Sequence, residues 1–141
     1  MIRLSTKGRY GVIAMFALGR SYEEGSLSVR RIAEQQDIPS AYLEQIMARL
    51  RQEGLVESAR GRDGGYRLAR PPEQITVGDV VRAVEGPITL SNCLATSIPL
   101  CDRVDRCVTR LIWKRLGRRI EQAFDAITLE RLVRNPQSAS H

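Results

Sequence analysis

A chain of 141 residues with 43% hydrophobic content can bury a core as one globular domain or as a small domain with an appendage. Its 22 basic residues against 16 acidic ones leave a net charge of +6, a balance that favours a polyanionic partner but is shared by many ordinary basic proteins. The opening "MIRLSTKGRY" is charged and polar, and the apolar run "YGVIAMFALG" is too short to span a bilayer, so a cytoplasmic protein without structural disulfides is expected.

Ser5 or Thr6 can cap a first helix reaching about Arg20, with Tyr10, Ile13, Phe16 and Ala17 on one face. After a loop at 23–26, Ser28 caps a short helix to about Gln36, with Ile32 and Ala33 inward and Leu27 placed to staple its start. Pro39 breaks that helix, because proline disfavours a helical conformation at the residue before it. Ser40 opens a third helix in which Leu43, Ile46, Met47 and Leu50 fall at helical spacing, and Gly54 ends it in a left-handed conformation. The opposite face presents Tyr42, Glu44, Gln45 and Arg49.

Two short extended runs, "LVESA" and "YRLA", flank the turn "RGRDGG" and read as a β-hairpin with arginines at its tip. Residues 58–70 carry Arg60, Arg62, Arg67 and Arg70 against the single Asp63. "ARPPEQ" is a proline-stiffened connector, and Thr76 with Asp79 has the spacing of a capping box for a helix bearing Val77, Val80, Val81 and Val84. Residues 86–103 show no clean periodicity. From about Val104 to Ile127 a long helix returns, with Val104, Val108, Leu111, Ile112, Leu116, Ile120, Phe124 and Ile127 on one side. Arg106, Arg110, Lys114, Arg115, Arg118 and Arg119 line its other side; "TLERLV" adds a final turn or two before a loose tail.

Helix, turn, helix and basic hairpin make a winged helix-turn-helix, a mainly α fold with a small β-hairpin wing and here a long C-terminal helix. With its inner face committed to the core, the third helix leaves Gln45 to read adenine, Arg49 to read guanine or phosphate, and Glu44 to accept from cytosine. Arg60 and Arg62 could enter the neighbouring minor groove or grip phosphates. A three-helix bundle with a solvated charged face is the plainer alternative; the basic hairpin directly after the helix favours DNA.

Cys93, Cys101 and Cys107 are the chain's only cysteines, with seven and then five residues between them. Cys107 suits a small buried apolar residue, three positions after Val104. Cys93 and Cys101 fit that less well in an irregular, glycine- and proline-bounded stretch. Structural zinc usually takes four ligands in tight pairs, and the single histidine is the terminal His141. A redox thiol switch and an iron–sulfur cluster, held by thiolates at varied spacing, both stay open.

"MIRLSTKGRYGVIAM", "AYLEQIMARLRQEGLVESARGRDGGYRLAR", "ITVGDVVRAVEG" and "ITLERLV" together resemble the IscR/NsrR-type winged-helix regulators, the Rrf-two family, over residues 1 to about 135. The resemblance implies a homodimer on a pseudo-palindromic operator in double-stranded DNA, with the long helix packed against its partner's copy. It implies that Cys93, Cys101 and Cys107 ligate an iron–sulfur cluster that senses cluster supply, iron, redox state or nitric oxide; the cluster type does not carry over, and 2Fe–2S is slightly favoured over 4Fe–4S without a deciding residue. It places Glu44 and Gln45 at base-reading positions, Arg60 and Arg62 in the wing, and Tyr10 near phosphate; Ser40, Tyr42 and Arg49 complete the expected DNA-binding set. Two departures stand out. The best-known members have five residues in the first gap, and the fourth ligand is missing from its usual places. IscR-like members carry a histidine where this chain has Arg110, and NsrR-like members use a carboxylate where the nearest equivalent is Arg9. Asn92, Asp102 and Asp105 are nearby candidates, and an exogenous ligand or an open iron site is an equal alternative.

The resulting division is 1–85 for DNA binding, 86–103 for the cysteine-bearing loop, 104–135 for dimerisation and the final short helix, and 136–141 for the tail. The expected function is a DNA-binding regulator controlled by its cluster, with no membrane partner. The alternatives are a cluster-free regulator answering to thiol oxidation or a partner protein, and an iron–sulfur enzyme or electron carrier. No nucleophile–base set or substrate motif supports an enzyme.

Overall fold

Ser5 is extended and its hydroxyl accepts from Gly8 N, capping α1 (Thr6–Arg20). The computed structural model describes residues 4–60, 64–88 and 108–134. The face that α1 buries includes the expected Ala17, with Tyr10 and Ile13 packed against the core from its edge, but it is centred on smaller residues than expected. Gly11, Ala14, Met15, Ala17 and Leu18 are buried, whereas Tyr10, Ile13 and Phe16 are only half-buried. The small residues decide this, because Gly11 and Ala14 let neighbouring helices approach where a row of large side chains would hold them off.

The second helix, α2 (Val29–Gln36), is capped by Ser28, whose hydroxyl accepts from Arg31 N at 3.1 Å, and it buries Ile32 and Ala33 as expected. It ends on Asp37 in the left-handed region at φ 54°. Leu27 does more than staple it: Leu27 pairs with Tyr66 through backbone bonds of 2.9 and 2.7 Å, so the segment before α2 lies along the wing. In α3 (Ser40–Gln52), Leu43, Ile46, Met47 and Leu50 are buried, and Gly54 follows at φ 77°.

The wing is an antiparallel pair, β1 (Val56–Ala59) and β2 (Gly65–Leu68), in the register Val56↔Leu68 to Ala59↔Gly65. Val56 and Leu68 turn into the core, and Arg67 binds Glu57 across the strands at 2.6 Å. A short 3-10 turn over Pro72–Gln74 leads to α4 (Val77–Glu85). The capping box forms as the sequence predicts, with both Thr76–Asp79 bonds at 3.0 Å.

The long helix, α5, is described over Val108–Asp125; the expected start at 104–107 lies outside the described residues. It stops short of Ile127 because Ile127 O accepts from Val77 N at 2.8 Å and Leu129 N donates to Ile75 O at 2.9 Å. That pairing turns the chain back, so α6 (Leu129–Arg134) packs on α1, with Leu129 fully buried in the common core beside Met15, Ile75 and Val80. The final short helix, grouped by sequence with the long one, therefore closes the core of the winged-helix part. The fold is the expected one: mainly α, with a two-stranded wing.

Candidate nucleic-acid interface

Helix α3 positions the expected reading residues by burying its opposite face. Ser40, Glu44, Gln45 and Arg49 are exposed on it. Tyr42 is half-buried, and its ring meets that of Tyr10 edge-on at 5.6 Å and 85°, so the two tyrosines brace α1 against α3 as well as fringing the surface. Arg49 is also engaged: its Nε donates to Ala83 O at 3.0 Å, while one terminal nitrogen lies 4.0 Å from Glu53. The other terminal nitrogen donates to Gln52 Oε1 at 3.4 Å, and the side chain as a whole is still 55% exposed.

In the wing, Arg60 is exposed at the end of β1; Arg62 falls within 61–63, outside the described residues. Sequence reasoning missed Lys7, which is exposed in the first turn of α1. Together with Gln45, Arg49, Glu85 and Gly86 it lines a cleft of about 360 Å³ between α1, α3 and the end of α4. A basic residue two positions after the Ser5 cap was the available signal, but only folding brings it beside α3.

Behind this surface, α5 is bolted to α4 by charge. Arg82 binds Asp125 at 2.7 Å, Glu121 at 2.9 Å and Asp79 at 3.3 Å. The Asp125 carboxylate raises the already high pKa of the Arg82 guanidinium, so the group stays charged throughout any working pH range. A Cβ at Gly78 would collide with Asp125, which explains the glycine inside the first turn of α4.

Cys93, Cys101 and Cys107 lie outside the described residues. Among the described residues no group of three His, Cys, Asp or Glu side chains is disposed to hold a metal ion. Arg110, expected on the basic side of the long helix, is half-buried, and its Nε has no hydrogen-bond acceptor among the described residues. Buried donors are nearly always paired, so this one suits an acceptor or anion, and Cys107 precedes it by three positions. Further along, Leu111, Ile112, Trp113 and Leu116 are 42–65% exposed; Trp113 was not in the predicted stripe. Lys114, Arg115, Arg118 and Arg119 are exposed beside them.

Comparisons with known proteins agree with this arrangement. The profile of the Rrf2 (Rrf-two) family, described as an iron-dependent transcriptional regulator, matches residues 4–135. The HTH-type transcriptional regulator IscR of Xenorhabdus nematophila is 40% identical over 136 residues, covering 96% of this chain and 82% of the relative. A solved structure of T. potens IscR superposes with a TM-score of 0.79 at 39% identity, covering 99% of this chain and 92% of that one. CymR, described as the global cysteine regulator of B. subtilis, gives a TM-score of 0.77 at 37% identity, covering 94% and 97%. These relatives are named as regulators and not as enzymes. Among the described residues, no helix is long and apolar enough to cross a membrane.

Proposed function

The chain belongs to the Rrf2 family of transcriptional regulators, and from that premise we propose that it binds its operator as a homodimer under the control of an iron–sulfur cluster held by Cys93, Cys101 and Cys107. The DNA-reading part rests on the outward row of α3, where Ser40, Glu44 and Gln45 are exposed above a fully committed core face. Gln45 can make a bidentate pair with adenine, and Glu44 can accept from cytosine N4 while rejecting acceptor edges. Arg60, Arg62, Tyr10, Tyr42 and the part-exposed guanidinium of Arg49 serve phosphate or the adjacent minor groove and set register. Two copies of α3 spaced about one helical turn apart, roughly 34 Å, would then read a pseudo-palindrome.

The homodimer is supported by the apolar row Leu111, Ile112 and Leu116 of α5, since such a patch on a soluble chain marks an interface. Three thiolates fit an iron–sulfur cluster, whose assembly, oxidation or loss would supply the signal. Arg110, three positions after Cys107, has an Nε–H without an acceptor among the described residues and supports an anionic group in that part of the chain. With a histidine absent from that position, the fourth coordination position is left to Asn92, Asp102, Asp105 or a small exogenous ligand. The functional divisions are then 1–85 for reading DNA, 86–103 for two of the thiolates, and the long helix from 104 for the third and the dimer face, with α6 joined to the winged-helix core.

A second reading has the same three thiols respond by oxidation without iron, and the likeness to a structure of the oxidized form of Staphylococcus aureus CymR supports it. One comparison separates them. Wild type and the variant with all three cysteines changed to alanine are prepared without oxygen, and operator affinity is followed by fluorescence anisotropy before and after air or nitric oxide. The cluster reading expects wild type to change affinity with loss of visible absorbance, and the variant to be unresponsive. A wild-type response with no iron present supports the thiol reading, and identical behaviour of both proteins contradicts each.

A further inference from the structure

The three helices nearest the proposed DNA surface are joined by one specific contact per pair. Tyr10 and Tyr42 link α1 to α3 edge-on. Arg49 Nε donates to Ala83 O at 3.0 Å and links α3 to the last turn of α4. Glu85 links that same turn to α1: its Oε1 accepts from Ser5 N at 2.9 Å and from the Ser5 hydroxyl. The carboxylate lies over the first turn of α1, where a Cβ at Gly8 would sit 2.9 Å from Glu85 Cδ. Three residues before Glu85, in the same last turn of α4, Arg82 holds Asp125 and Glu121 of α5. Directly after Glu85 the chain passes through Gly86, at φ 88°, towards the cysteine-bearing segment.

Magnitude decides what Glu85 is for. It is exposed, and an exposed polar pair contributes little to folding stability. What it does determine is direction, because without it α1 and α4 share only apolar packing, which permits small rotations. We infer that Glu85 is a positioning residue for operator recognition. Acting through Ser5, it closes the α1–α3–α4 triangle and fixes the angle at which α3 meets the major groove, so that the turn leading to the cysteines and the reading helix move as one body. The inference rests on α3 being the reading helix.

The test uses the full chain and a duplex enriched from a random DNA library by the wild-type protein, with a scrambled duplex of equal length beside it. For Glu85→Ala, the ratio of enriched-duplex to scrambled-duplex affinity should fall about tenfold with the melting temperature at its wild-type value, since removing a carboxylate beside the surface raises both affinities alike. Glu85→Gln keeps an acceptor for Ser5 and should restore most of the ratio. Ser5→Ala keeps the backbone N–H bond to Glu85 and should lose a smaller factor, and the double variant should lose no more than Glu85→Ala alone. A wild-type ratio in Glu85→Ala, a Glu85→Gln as impaired as Glu85→Ala, or losses that add in the double variant would each overturn the inference. Gln45→Ala is the control: if it leaves the enriched preference unchanged, α3 is not the reader and the underlying reading fails instead.

Discussion

Two apolar stripes of this protein, both written at helical spacing, end in opposite environments. On α3, Leu43, Ile46, Met47 and Leu50 are at most 2% exposed, covered by α1, α2 and α4 of the same chain. On α5, Leu111 is 65% exposed and Leu116 44%. Periodicity tells where a helix is apolar but says nothing of what covers it. The first stripe is satisfied within the chain and makes a rigid base for a reading surface. The second is left for another surface, which in the proposed homodimer would be a second copy of α5.

The sharpest way to break this contrast is to charge the second stripe. Leu111→Asp with Leu116→Asp should reduce the mass in sedimentation equilibrium from about twice 15.8 kDa to that of one chain. Operator affinity should fall about 10²–10⁴-fold as bivalent binding is lost, with the winged-helix core still folded. A wild-type protein that already sediments as one chain would end the dimer reading. Charging or truncating the first stripe should act on folding instead. Met47→Ala, at a fully buried position, should cost about 2–5 kcal/mol in denaturant unfolding, and a loss below about 1 kcal/mol would mean that α3 is not committed to the core.

On the outward side of the same helix, Gln45→Ala should leave folding untouched and lose about 1–3 kcal/mol of discrimination at one base pair per half-site, read by selection from random DNA. Smallest is the joint between the two regions. Arg82→Ala removes the shared partner of Asp79, Glu121 and Asp125 and should cost about 1–2 kcal/mol, discounted because every member is partly exposed; faster hydrogen exchange should be concentrated in α5. A group whose pKa is raised on folding loses its contribution only as pH rises through the folded value. For Arg82 that value is far above the working range, so the joint should show no alkaline weakening between neutral pH and pH about 9. A loss of melting temperature over that interval that disappears in Arg82→Ala would contradict it.

Much of the winged-helix half was legible because its signals are local. Ser5, Ser28 and the Thr76–Asp79 box are caps that act within one turn, and the hairpin follows from two extended runs around glycines. What was not legible depends on the approach of distant segments. The face of α1 was read only in part: Ala17 is buried and Tyr10 and Ile13 pack against the core, but Gly11 and Ala14, whose smallness is what lets other helices in, were passed over for large residues. Leu27 pairing with Tyr66, the return of Leu129 to the core, and the contacts Arg49–Ala83 and Ser5–Glu85 join residues 34 to 80 or more positions apart or lie outside any periodic pattern. For the candidate site, the exposed positions of α3 were readable as the complement of its core stripe. Lys7 was not, since nothing in "STKGRY" shows that it lies beside Gln45. Arg110 was assigned to the basic side by its spacing, and folding half-buries it instead.

The central claim is that the three cysteines hold a cluster that governs this arrangement, and its most direct test is iron and acid-labile sulfide per chain in protein isolated without oxygen. The account predicts about two of each, with visible absorbance, and neither in the variant lacking Cys93, Cys101 and Cys107. No iron and no sulfide in the wild-type chain, even after reconstitution, would contradict it.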